Sequence, residues 1–208
     1  MGAESLITFT LASVLLSIAP GPDNIFVLTQ SALYGRRAGI LITLGLCTGL
    51  IVHTTSVALG VAAIFMVSLA AFTALKLAGA AYLLYLAWGA FRASARNLGG
   101  ATGTNPPGNA ALYRRGIFMN ITNPKVAIFF LAFLPQFADP ASGAITAQLF
   151  LLGGVFIAVA LVVFTGIACL AGLIAGWLKA SRRAQVLLNR VAGLVFTALA
   201  LRLATATR

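Results

Sequence analysis

Acidic residues are nearly absent from this chain: its 208 residues include only three, against 14 lysines and arginines. Charged residues of both signs make up 8% of the sequence and hydrophobic residues 61%, with a mean hydropathy of +1.02. A soluble domain of this length needs a far more polar surface, so the composition excludes one. We therefore expect an integral membrane protein.

Residues that bind metals or exchange thiols are equally scarce. The two cysteines, Cys47 and Cys169, lie in separate apolar segments without a Cys-x-x-Cys spacing, and His53 is the one histidine. We interpret the cysteines as small buried hydrophobic residues. With one histidine and no acidic cluster, a dedicated metal site has very weak support, and no cofactor is expected.

Long apolar stretches make up most of the chain. Six are long enough to span a bilayer, at about residues 5–33, 38–66, 71–91, 113–136, 145–177 and 187–206. Helices are the default spanning structure because their backbone hydrogen bonds close within the segment. The sequence predicts an all-α integral membrane protein with six transmembrane helices.

The basic residues are concentrated on one side of this topology. Most of the 14 fall between helices 1 and 2, 3 and 4, or 5 and 6, as Arg36, Arg114 and Arg182 do. This positive-inside pattern places those loops in the cytoplasm and both termini outside. The net charge of +11 thus orients the protein and favours anionic lipid headgroups, and nucleic acid is not an expected partner.

A polar stretch rich in glycine, proline and asparagine divides the chain. We predict a cytoplasmic linker at residues 97–112, between a first three-helix repeat at 1–96 and a second at 113–208. Residues 76–82 and 190–196 match: each has a base, an apolar residue, Ala-Gly, two apolar residues and an aromatic. Because each half has an odd number of helices, the second half enters the membrane in the opposite orientation from the first. The prediction is two inverted repeats in one transmembrane domain.

A proline-glycine-proline sequence interrupts predicted helix 1 at membrane depth. Pro20 and Pro22 donate no backbone hydrogen bond and Gly21 has no side chain, so the helix must break or kink there. Pro22 suits the first turn of a second half-helix, with Asp23 and Asn24 close to its positive N-terminal end. Charges at membrane depth are costly and usually functional, although a helix cap or a partner for a base would also explain Asp23.

Predicted helix 4 repeats this arrangement with a base in place of the acid. Pro124 starts the second half-helix, Asn120 and Asn123 can cap the open turn, and Lys125 follows. Lys125 offers an ammonium to a carboxylate, or serves as a permanent counter-ion to Asp23. Prolines in paired hydrophobic segments indicate a binding site between transporter halves. We predict that a solute bearing both charges binds there, at Asp23, Asn24, Asn120, Asn123 and Lys125.

Three other polar residues, His53, Gln30 and Gln136, each allow two interpretations. His53, in the middle of helix 2, is a candidate proton carrier or a neutral residue that hydrogen-bonds between helices. Gln30 and Gln136, at similar distances after the two breaks, either line the cavity or hydrogen-bond between helices. The glycines repeated along helices 2 and 5 indicate close helix packing.

Four ordered blocks resemble the LysE/RhtB family of amino-acid exporters. They are residues 20–39, Gly49-x-x-x-His53, residues 76–86 and residues 115–137, the last with Asn120-x-x-Asn123-Pro124-Lys125. The resemblance implies a six-helix bacterial inner-membrane exporter, not an enzyme, that moves amino acids or close derivatives outward by proton antiport. A single intramembrane acid leaves no second partner for a dibasic substrate, which favours neutral amino acids such as homoserine and threonine.

These inferences combine into one hypothesis with several alternatives. The chain would be a secondary active exporter working by alternating access, in which Asp23 meets the substrate ammonium or carries the coupling proton and Lys125 meets the carboxylate. A metal-ion or other small-solute exporter, a thiol-relay membrane protein and a passive channel are the alternatives. The expected partners are an amino acid, protons and membrane lipids, and the sequence allows a homo-oligomer.

Overall fold

A computed structural model describes residues 2–67, 69–94 and 107–205. These residues form α1 (Ala3–Ile18), α2 (Pro22–Tyr34), α3 (Arg36–Val67), α4 (Leu69–Arg92), α5 (Asn109–Ile121), α6 (Pro124–Ile128), α7 (Ile145–Cys169), α8 (Ala171–Ala180) and α9 (Arg182–Thr205). A π-helical turn at Phe129–Phe133 and a 3-10 turn at Leu134–Phe137 continue α6, and a 3-10 turn at Pro140–Ser142 precedes α7. The predicted all-α class is confirmed.

By length and composition, the described helices allow up to six membrane crossings. Four of them, α3, α4, α7 and α9, each contain a stretch long and apolar enough to cross alone. With 16 and 13 residues, α1 and α2 each fall short of the roughly 20 that a crossing needs. Taken together, α1 and α2 are long and apolar enough to cross the membrane as one bent span, and so are α5 and the segment Pro124–Phe137. The chain is therefore a multi-pass membrane protein.

Both bent spans break at the predicted prolines. The direction of the chain changes by 55° between α1 and α2 and by 49° between α5 and the segment Pro124–Phe137. Pro22 and Pro124 each occupy the first turn of the second helix, where a backbone N–H is not needed. Pro20 and Gly21 lie in the gap between α1 and α2. The predicted breaks in helices 1 and 4 are confirmed.

The helix after the predicted linker starts earlier than the sequence indicates. Helix α5 begins at Asn109, so the last residues of the predicted linker at 97–112 are helical. Alanine and leucine follow Asn109, both strong helix formers, and Leu112 is buried. Residues 97–106 of that linker lie outside the described part of the chain.

The predicted fifth helix at residues 145–177 is divided. Helix α7 ends at Cys169 and α8 starts at Ala171, with Leu170 between them at φ −96° and ψ 7°. No proline marks this division. Helix α8 contains Gly172 and Gly176, and each glycine weakens a helix by about 1 kcal/mol relative to alanine.

Close glycine contacts join α3 to α5. Helix α3 also packs against α7, α7 packs against α1 and α2, and α4 packs against α9. A Cβ atom on Gly45 would overlap the backbone oxygen of Tyr113 and lie 3.0 Å from the Cα of Gly116. Only glycine permits this approach, which is the packing role predicted for these residues. The pairing of α4 with α9 is compatible with an inverted repeat, which stays a prediction.

Aromatic rings fill the core beside the second break. Phe129 stacks on Phe133 with 4.9 Å between ring centroids, and it meets Phe156 of α7 at 5.2 Å. Phe9 of α1 lies 6.2 Å from Phe129 and 5.2 Å from Phe137. These buried rings hold the segment that follows α6 against α1 and α7, which fixes the position of the neighbouring polar residues.

Candidate functional site

A small cavity lies between the two broken spans. Its volume is about 20 Å³, and its walls include every residue predicted to bind the solute: Asp23, Asn24, Asn120, Asn123 and Lys125. Gly21 lines it as well, beside Lys125, whose Nζ would lie 3.2 Å from a Cβ atom at position 21. A cavity of this size holds about one water molecule. The cavity therefore has no room for an amino acid, and we call the structure closed in this sense.

The ammonium of Lys125 is bound by the end of α1. Its Nζ donates hydrogen bonds to the backbone oxygens of Leu16 and Ala19, both at 2.9 Å. In a continuous helix the oxygen of Leu16 would accept from the N–H of Pro20, which proline lacks. Lys125 therefore satisfies carbonyls that the break leaves without helical partners. The ring of Phe196 on α9 lies 5.3 Å from the same Nζ.

Asn24 satisfies another carbonyl of the same turn. Its Nδ2 donates to the backbone oxygen of Ser17 at 2.6 Å. Because α1 ends at Ile18, this oxygen also lies among the last carbonyls that have no intrahelical donor. The polar residues after the two prolines thus stabilise the broken end of α1.

Asp23 contacts the opposite half of the protein. Its Oδ2 accepts a hydrogen bond from Nδ2 of Asn120 at 3.2 Å, while its Oδ1 has no hydrogen-bond partner in the described part of the chain. Within the described residues, Asp23 and Lys125 do not form an ion pair, for which N and O must lie within 4.0 Å. The two charges share one cavity, but each has its own partners.

His53 reaches the site through Asn120. Its Nε2 lies 3.1 Å from the backbone oxygen of Asn120, and because a carbonyl oxygen only accepts, Nε2 carries the proton. His53 is not among the residues that line the cavity. A Cβ atom on Gly49, one turn before His53, would lie 2.7 Å from the Cβ of Asn120, so the glycine leaves room for that asparagine.

Asn123 organises the start of α6. Its Oδ1 accepts the backbone N–H of Lys125 at 3.0 Å, which is the cap predicted for this turn. The glutamines are placed elsewhere: Gln136 donates to the backbone oxygen of Ala132 at 3.3 Å, and neither it nor Gln30 lines the cavity.

Sequence reasoning missed the other residues of the cavity. Ser17 lies three positions before Pro20 and is 3% exposed, and its hydroxyl has no hydrogen-bond partner among the residues that the structure describes. Its position in the last turn before a break was a signal that could have found it. The remaining walls are apolar, and no sequence motif marks them: Leu16, Leu50, Val126, Phe156 and Phe164.

The thiols and possible metal ligands are dispersed. Cys47 is buried as expected, but Cys169 at the end of α7 is exposed, so the interpretation of both cysteines as buried is wrong for Cys169. Both thiols are free. In the described part of the chain, no three histidine, cysteine or acidic side chains come together as a metal site would require.

Comparison with known proteins gives concordant matches along nearly the whole chain. A family profile described as LysE type translocator matches residues 14–207. The homoserine/homoserine lactone efflux proteins of Salmonella typhimurium and Salmonella typhi are each 39% identical over 207 residues, covering 99% of this chain and 98% of their own length. An uncharacterized membrane protein of Vibrio cholerae is 32% identical over 96% of each chain. No solved structure matches.

Proposed function

The chain belongs to the LysE-type translocator family, and we propose that it exports a neutral amino acid or a close derivative across the bacterial inner membrane in exchange for protons. As a translocator it is not an enzyme. One observation carries the proposal: a buried acid and a buried base, each beside a helix break, line the same closed cavity. Buried charges at membrane depth are retained for function, and broken helices in the two halves of a transporter mark its binding site.

The substrate class follows from the cavity walls and the relatives. Asp23 is the one carboxylate among the lining residues, so a substrate with a second positive charge lacks a partner. The apolar walls, which include Leu50 and Phe156, suit an uncharged side chain. Because two relatives are named for homoserine and homoserine lactone efflux, these compounds are our first candidates.

Asp23 is the residue through which we propose proton coupling. A buried carboxylate without an adjacent counter-ion is unfavourable, and either a proton or a substrate ammonium stabilises it. Because the two compete for the same group, substrate release to the outside and proton entry alternate. Proton entry releases about 2.3 kcal/mol per 100 mV. Since each 1.4 kcal/mol is a factor of ten, one proton supports accumulation of roughly tens-fold outside.

Lys125 changes partners in this mechanism. In the closed structure its ammonium binds the carbonyls of Leu16 and Ala19. A substrate carboxylate that replaces these oxygens releases the end of α1 from α6 and thereby opens the cavity. Two inverted three-helix repeats, with the basic loops in the cytoplasm and both termini outside, supply the inward-open and outward-open states of alternating access.

Transport from proteoliposomes tests the proposal. Purified protein is reconstituted, and efflux of a panel of radiolabelled amino acids, starting with L-homoserine, is measured with and without an imposed proton gradient. We expect gradient-dependent movement of one or a few neutral amino acids. If folded, inserted protein moves no amino acid in a coupled manner, the proposal is wrong. Tolerance to metal salts, and the activity of a Cys47→Ala/Cys169→Ala variant, would then test the metal-exporter and thiol-relay alternatives.

A further inference from the structure

Three buried oxygen atoms around the cavity have no hydrogen-bond partner among the described residues. They are Oγ of Ser17, Oδ1 of Asp23 and Oδ1 of Asn120. All three residues line the cavity, and they are only 3%, 4% and 1% exposed. Buried polar atoms are rarely left unpaired, because each has lost its hydrogen bonds to water. Three such oxygens at one cavity indicate a ligand that donates hydrogen bonds.

Three side-chain nitrogens at the same site already donate hydrogen bonds. Lys125 Nζ donates to two carbonyls of α1, Asn24 Nδ2 donates to Ser17, and Asn120 Nδ2 donates to Asp23. Among the described residues, the unpaired buried atoms at the cavity are therefore all oxygens: the Oδ1 atoms of Asp23 and Asn120 can only accept, while the hydroxyl of Ser17 can accept or donate. A free carboxylate can only accept hydrogen bonds, so it does not match the two Oδ1 atoms, which also only accept.

A primary ammonium group matches these acceptors in number and charge. It carries three N–H donors, one for each unpaired oxygen. The carboxylate of Asp23 supplies the opposite charge, and charge-assisted hydrogen bonds are the stronger ones. The cavity of about 20 Å³ has room for a group the size of one water molecule, which is the size of an ammonium head without the rest of the substrate.

We infer that Ser17, Asp23 and Asn120 form a socket for the primary ammonium of the substrate, and that Ser17 sets the preference for primary over substituted amines. The inference rests on the proposed function, since it concerns the head group of the exported amino acid. An N-methyl group removes one donor and leaves one socket oxygen unpaired. An N-acetyl group removes the positive charge as well.

Competition in proteoliposomes tests the socket. Transport of radiolabelled L-homoserine is measured against unlabelled L-homoserine, N-methyl-L-homoserine and N-acetyl-L-homoserine, at a pH where the amines are protonated. We expect the wild-type protein to bind the N-methyl compound about tenfold more weakly than L-homoserine, and the N-acetyl compound more weakly still. In Ser17→Ala the N-methyl discrimination should fall to about threefold or less, because the oxygen that would be left unpaired is gone.

Ser13→Ala is the matched control. Ser13 lies one turn earlier on α1 and is also buried, but its hydroxyl donates to the backbone oxygen of Phe9 at 2.8 Å. This variant should keep the wild-type discrimination.

Different results would overturn different claims. If Ser17→Ala transports L-homoserine with the wild-type discrimination, Ser17 does not set the amine preference. If the N-acetyl compound competes as well as L-homoserine in the wild-type protein, the ammonium socket is wrong whatever the variants do. Absence of transport of any amino acid by the wild-type protein would instead contradict the proposed function.

Discussion

Replacing Lys125 with methionine tests how the broken end of α1 is held. Methionine keeps most of the apolar stem but cannot donate to the backbone oxygens of Leu16 and Ala19, which are both buried. A buried acceptor left unpaired costs about 1–3 kcal/mol, so the two carbonyls together account for roughly 2–6 kcal/mol. The variant also leaves Asp23 as the one charged residue among those lining the cavity, which adds to the loss.

Unfolding in mixed micelles by titration with a denaturing detergent measures this effect. The free energy of unfolding of Lys125→Met should fall by roughly 2–6 kcal/mol. Adding Asp23→Asn should restore part of it, because the double variant no longer holds an uncompensated buried charge, and a double-mutant cycle isolates this coupling. The reasoning is refuted if the free energy of unfolding of Lys125→Met lies within about 0.5 kcal/mol of the wild-type value, which is the range typical of surface substitutions.

Four further substitutions separate the roles of individual residues. Gly45→Ala should lower the free energy of unfolding by about 1–3 kcal/mol because its Cβ overlaps the backbone of α5. Gly60→Ala, whose Cβ would meet no described atom within 4 Å outside its own helix backbone and chain neighbours, should be neutral or slightly stabilising. His53→Gln keeps an N–H donor for the oxygen of Asn120 and should retain coupled efflux; loss of coupling with intact folding would make His53 the proton carrier. Asp23→Asn should fold but lose gradient-driven efflux, and full coupled efflux would remove its proposed role.

The broken spans could be predicted because their cause is local. Proline lacks an N–H wherever it occurs, so Pro20, Pro22 and Pro124 had to interrupt their helices. An acid and a base following these breaks in an apolar chain also indicated a shared cavity before any geometry was available. The division at Leu170 could not be foreseen in this way, since no proline stands there and the glycines nearby are tolerated inside other helices.

The partners of Lys125 depended on how the two halves pack. From sequence, a carboxylate was the expected partner, supplied by Asp23 or by the substrate. The structure instead places the ammonium on the carbonyls of Leu16 and Ala19. Backbone oxygens carry no sequence signature, so a side chain that binds them across 106 positions of the chain cannot be read from a motif.

Proton movement driven by a substrate gradient tests the central claim most directly. In proteoliposomes that contain a pH-sensitive dye, a gradient of L-homoserine is imposed without any proton gradient, for the wild-type protein and for Asp23→Asn. Because coupling is reciprocal, the wild-type protein should move protons against the direction of homoserine flow, and the variant should not. Homoserine flux without proton flux in the wild-type protein, or full proton flux in Asp23→Asn, would contradict the account.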